Sequence, residues 1–145
     1  MDNLAVTSIG ECAFFRCSGL TGRIIIPYSV TNIGSLAFCD CSGLSGDLNI
    51  PIGVTHIGSS AFTGCSGLNG SLAIPDGVMD IGYRAFYNCS NLRGPLSFPN
   101  CVTNIGEYAF YCCSNLVGEV IIPAGVTMIA TGAFCGCSNW YRCIP

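Results

Sequence analysis

The sequence predicts a repeat solenoid of six 24-residue coils, with a short parallel β-sheet on one face and helical or 3₁₀ turns elsewhere. Two observations carry this reading. Cysteines recur at a constant interval, at Cys17, Cys41, Cys65, Cys89, Cys113 and Cys137. Around them the pattern Val-Thr-x-Ile-Gly-x-x-Ala-Phe-x-x-Cys-Ser-x-Leu-x-Gly-x-Leu-x-Ile-Pro returns, and no column needs an insertion or deletion. A fixed period of roughly 20–50 residues is the signature of stacked architecture. Equal lengths mean equal paths in space, so equivalent side chains stack into ladders. We expect a single right-handed solenoid domain over residues 1–145, with partial coils at both ends.

Each element follows from local chemistry. Val-Thr-x-Ile-Gly is β-branched and predicts a short extended stretch. Ala-Phe-x-x-Cys is too short for a stable helix and predicts one helical or 3₁₀ turn that drops Ala, Phe and Cys inward. The glycine after the leucine, as at Gly46 and Gly70, fits a tight bend or a site without room for Cβ. Leu48-Asn49-Ile50 and its equivalents place two apolar residues about one outward residue, which predicts the principal strand. Proline then ends it, having no N–H for a ladder. One unit cannot bury its inward column. Stacked units, rising about 4.7–4.9 Å each, can. Phe38, Phe62, Phe86 and Phe110 should be buried and stacked.

The copies Cys41-Ser-Gly-Leu-Ser-Gly-Asp-Leu-Asn-Ile-Pro51 and Val54-Thr-His-Ile-Gly-Ser-Ser-Ala-Phe62 resemble the BspA-like, or Treponema-type, leucine-rich repeat. The resemblance covers essentially the whole chain; a departure is Trp140 in the leucine column. It implies a leucine-rich-repeat solenoid whose strand face is the concave binding face. It also implies kinship with surface and adhesion proteins of mucosa-associated bacteria and protists, which bind host proteins or other cells and are not enzymes as a class.

Composition narrows the partners. Hydrophobic residues make up 50% and charged residues 9%, with a formal net charge of −3. All five basic residues are arginine: Arg16, Arg23, Arg84, Arg93 and Arg142. No basic stripe exists, which argues against nucleic acid and anionic membranes. No run of about 18 apolar residues exists, which argues against membrane insertion. The chain carries no secretory signal pattern, which leaves a cytoplasmic protein or a fragment of a cell-surface or secreted one. Neither end shows a polar cap, and uncovered end coils can template association, end to end or as a dimer.

The candidate sites are few. Six inward cysteines beside a phenylalanine column read as packing thiols, free rather than paired. Cys39-x-Cys41 and Cys135-x-Cys137 lie four coils apart, too far to share a zinc ion, so no metal or cofactor is expected. His56 is the sole histidine; Asp80 one coil away could stabilise its imidazolium, but the column Asn32, His56, Asp80, Asn104 reads first as a polar surface ladder. No catalytic constellation emerges. The leading candidate is a protein-binding group of Tyr83, Arg84, Tyr87, Tyr108 and Tyr111. Aromatics and arginine are enriched in binding hot spots, and this group is local to two coils, whereas a structural ladder should run the full length. The alternative surface is the outward strand columns, with Arg23, Ile25, Asp47, Asn49, Ser71, Ser97 and Glu119. The sequence therefore points to a non-catalytic scaffold for a protein partner it does not identify, and secondly to a subunit assembling end to end.

Overall fold

The computed structural model describes residues 5–144, with side chains through Trp140. Its backbone is a stack of coils joined laterally by parallel pairing. The main sheet has five strands: β1 (Ser8–Ile9), β3 (Asn32–Ile33), β6 (His56–Ile57), β8 (Asp80–Ile81) and β9 (Asn104–Ile105). The register is one full repeat at each step, for example Ile33 opposite Ile57 and Ile57 opposite Ile81. Three two-stranded pairings complete the set. They are β2 (Gly22–Arg23) with β4 (Leu44–Ser45), β5 (Leu48–Asn49) with β7 (Leu72–Ala73), and β10 (Gly118–Ile121) with β11 (Trp140–Ile144).

This corrects the strand assignment. The continuous sheet forms in the Thr-x-Ile-Gly segment, and the Leu-x-Ile-Pro segment, expected to be principal, pairs only in patches. The reason is how closely the coils approach. In the Ile-Gly column, a Cβ on Gly58 would lie 2.5 Å from the carbonyl carbon of Gly34, and one on Gly106 would lie 2.7 Å from that of Gly82. Absence of a side chain lets the backbones meet there. In the other segment proline closes each copy, and Pro95 enters the fourth coil without an N–H, so pairing is interrupted. The main sheet ends where its glycine ends. Ala130 occupies the column in the sixth coil, no strand among the described residues pairs with the far edge of β9, and Met128 and Ile129 stay 73% and 48% exposed.

The turn segment also departs from expectation. Among the described residues there is no helix or 3₁₀ helix. Tandem turns replace it. Every fourth residue has positive φ: Leu36 (58°) and Asp40 (59°) in the second coil, Arg84 (54°) and Asn88 (58°) in the fourth. A left-handed residue halts helical propagation. Amide donors then alternate. In the third coil Thr63 and Cys65 donate within the coil to Ser60 and Phe62, while Phe62 and Gly64 donate across to Ala85 and Tyr87 at 2.8 Å each. Each N–H is satisfied either by its own turn or by the neighbouring coil.

One core runs through the stack. In the third coil Val54, Ile57, Ala61, Phe62, Cys65 and Leu68 have no exposed surface. The phenylalanine rings stack near parallel, with centroids 5.1 Å apart for Phe14–Phe38, 5.3 Å for Phe38–Phe62 and 5.6 Å for Phe62–Phe86. The ladder cysteines are free thiols with a polar role beyond packing. Cys65, Cys89 and Cys113 each donate to the phenylalanine carbonyl one coil back, at 3.0–3.1 Å. Burial pushes these thiols well above their ordinary pKa, and that of Cys137 to about 11.

Candidate functional site

The turn segments of the fourth and fifth coils bring Tyr83, Arg84, Tyr87, Tyr108 and Tyr111 together. The 24-residue register puts Tyr87 beside Tyr111, and their rings stack at 4.8 Å with a 7° interplanar angle. Tyr83 meets Tyr108 edge-on at 6.4 Å, and Tyr108 meets Tyr111 edge-on at 5.8 Å. Arg84 sits among them. Its guanidinium carbon lies 4.9 Å from the Tyr83 ring centre, 5.0 Å from Tyr87 and 5.5 Å from Tyr108. Contacts within about 6 Å of a ring face attract a cation electrostatically.

Backbone geometry builds this group. Arg84 and Tyr108 are equivalent positions, both left-handed. The Arg84 N–H donates to the Glu107 carbonyl at 2.9 Å, and its own carbonyl accepts from the Thr63 hydroxyl at 2.7 Å. Gly132, next in that column, leaves space for the Tyr108 ring, since a Cβ there would come 2.5 Å from it. Thr63 and Gly132 thus support the group from its two sides in the stack. The Arg84 Nε is shielded from water and has no hydrogen-bond acceptor. Tyr111 has its phenol pKa raised, chiefly by the charge of Cys112 and then by a hydrogen bond with it.

The alternative strand columns are arranged differently. Arg23 pairs with Asp47 at 3.5 Å, both well exposed. The Asp47 carboxylate accepts from the Ser71 amide at 2.8 Å and the Ser71 hydroxyl at 2.9 Å, and these bonds lower its pKa. Their polar groups are occupied by one another. Where strand pairing lapses, shallow clefts remain: about 360 Å³ beside Arg23, Ile25, Asp47 and Asn49, and about 310 Å³ beside Pro95, Ser97 and Glu119. Ile25 is 86% exposed at the rim of the first.

His56 lies opposite Asp80 in the main sheet, but the two form no ion pair among the described residues. The imidazole Nδ1 lies 2.8 Å from the Thr55 hydroxyl, and Asp80 accepts from Asn104 instead. Asp80 therefore does not pair with the imidazole, and the column is the polar surface ladder that the sequence favours, His56 meeting Thr55 and Asp80 meeting Asn104 of the next coil.

A family model described as a BspA type leucine rich repeat region matches residues 3–93 and 45–144, in six copies. Among solved structures, the chain is similar to a leucine-rich repeat protein of T. pallidum, at 35% identity and a TM-score of 0.86, covering 99% of this chain and 64% of that one. It is similar to a leucine-rich repeat protein from Bacteroides ovatus, at 29% identity and a TM-score of 0.76, covering 96% of this chain and 41% of that one. It is also similar to a leucine rich cell surface protein from Faecalibacterium prausnitzii, at 30% identity and a TM-score of 0.75, covering 94% and 43%. The chain thus spans less than two thirds of each of these proteins. No curated protein matches it.

Proposed function

The chain belongs to the BspA-type leucine-rich repeat family, and on that premise we propose that it is a non-catalytic scaffold that binds a protein partner, as an adhesion or interaction module. The observation that carries this is the aromatic group around Arg84. Four tyrosines and one arginine converge on the surface of two coils, and a stacking ladder built only for stability would continue through all of them. Rigid aromatic rings offer contact area at little conformational cost, and tyrosine and arginine dominate interface hot spots. Similarity to a protein described as a cell surface protein supports the adhesion sense of the reading.

The test is the double variant Tyr87→Ser with Tyr111→Ser, assayed for capture of partners from host-surface or cell extracts. Weakened capture with a retained fold is the expected result. Unchanged capture with collapsed stability would show that the rings serve packing alone. Unchanged capture and unchanged stability would move attention to the strand columns at Asp47 and Asn49.

Self-assembly through end coils ranks second. Its support is the first coil, where Phe14 is 38% exposed and an apolar hollow of about 390 Å³ is lined by Val6, Ile9, Phe14, Ile24 and Ile26. An adjoining coil of a longer chain would cover the same surface, which places this reading below the first. A concentration-dependent series of oligomers on sizing would favour it; a stable monomer or closed dimer would not.

A further inference from the structure

Arg84 is the unusual member of the aromatic group. Among the described residues, Arg16 pairs with Asp40 and Arg23 with Asp47, while Arg84 and the exposed Arg93 have no ion-pair partner, and of these two only Arg84 is ringed by tyrosines. Three tyrosine rings surround its guanidinium, and its Nε–H is withheld from water without an acceptor. A buried donor left unsatisfied carries a desolvation penalty, so its occurrence calls for an explanation. The neighbouring Glu107 engages Arg84 only through its backbone carbonyl.

Resting on the protein-binding reading, we propose that Arg84 in its tyrosine cage is a receptor for one carboxylate, supplied by an acidic side chain of the partner polypeptide. A guanidinium presents a planar fork that matches a carboxylate with two parallel hydrogen bonds. Caging by the rings orders the arginine in advance, so less freedom is lost on binding. Partial removal from water strengthens the pair relative to an exposed one. The count of charges chooses the ligand. A lone caged guanidinium in a chain of net charge −3 suits a single carboxylate and not a polyanion such as nucleic acid or a phosphorylated surface. Tyr83, 42% exposed at the edge of the cage, offers a surface for an apolar residue beside the acid.

The experiment titrates the whole chain with three capped or uncapped pentapeptides and follows the Arg84 Nε–H resonance by NMR. The probes are acetyl-Gly-Phe-Glu-Phe-Gly-amide, its glutamine counterpart, and acetyl-Gly-Phe-Gly-Phe-Gly with a free C-terminal carboxylate. The glutamate peptide should bind roughly ten- to a hundredfold more tightly than the glutamine peptide, as expected for charge-assisted bonds, and should shift the Arg84 signal. Arg84→Gln, checked for fold by near-ultraviolet circular dichroism, should abolish that preference. Equal binding of the two peptides, no binding by either, or binding that leaves the Arg84 signal unmoved would overturn the proposal. So would binding by the free-terminus peptide alone, which would assign the site to a chain end. Partner capture that is lost in the tyrosine double variant would leave the protein-binding reading standing in each of those cases.

Discussion

At the residue scale, cysteine is chosen where alanine or valine would fill the space, because it also donates. The Cys89 thiol bonds the Phe62 carbonyl at 3.0 Å in the buried interior. Cys17, at the first coil, reaches only the Phe15 carbonyl, at 3.9 Å. Burial sets the pH behaviour. The pKa of Cys137 rises from 9.0 to about 11 through desolvation, and those of Cys65, Cys89 and Cys113 rise for the same cause. The folded state therefore holds these protons where the unfolded state releases them. Stability from this source is complete below pH 9, falls as the pH passes from about 9 to 11, and continues to fall beyond as the deeper thiols stay protonated. Urea midpoints measured from pH 8 to pH 11 should decline, and a flat profile would contradict the burial. Native alkylation at pH 8 should label the exposed Cys12 and Cys135 and spare the buried ladder thiols.

At the scale of the element, pairing is decided by whether backbones can touch. Gly58 sits against the Gly34–Ser35 peptide, its missing Cβ 2.5–2.7 Å from three backbone atoms that cannot move aside. Gly58→Ala should therefore cost about 3 kcal/mol, at the upper end for overpacking. Gly10→Ala, in the same column but with nothing within 4 Å, should be near neutral. Chemical denaturation of the two variants makes the comparison, and equal losses would refute it. The reciprocal change, Ala130→Gly, should let the sixth coil join β9 and slow amide hydrogen exchange at Thr127 and residue 130. The glycine pattern was legible in the sequence, yet it did not disclose which of two extended segments would form the sheet. That choice rests on coil-to-coil distance, which no single repeat contains.

At the scale of the whole molecule, stability is nearly additive along one dimension, with each coil supported by its neighbours. Phe86 stacks on Phe62 at 5.6 Å and on Phe110 at 5.1 Å and is fully buried, whereas Phe14 has a ring on one side only and is partly exposed. Phe86→Ala should cost roughly 3–5 kcal/mol. Phe14→Ala should cost markedly less, because only one stacking partner is lost. A thermal or urea series on both variants measures the ratio, and comparable losses would mean that the coils do not stabilise one another by contact.

The repeat length by itself determined the ladders. Once equivalent positions lie one coil apart, Ile57, Phe62, Cys65 and Leu68 must share an interior, because they are the columns apolar in every copy and no single coil can bury them. The same register predicted that Tyr87 and Tyr111 would be neighbours. Tertiary structure alone decided the rest. Left-handed backbone at Arg84 and Tyr108 follows from amides seeking carbonyls on the adjacent coil, a bond invisible to local propensity. The cage around the Arg84 guanidinium depends on ring angles set by that backbone and by the space above Gly132. Column membership is one-dimensional information and survives in a string of residues. The direction in which a side chain leaves its coil does not, since it is fixed by hydrogen bonds between segments a full repeat apart.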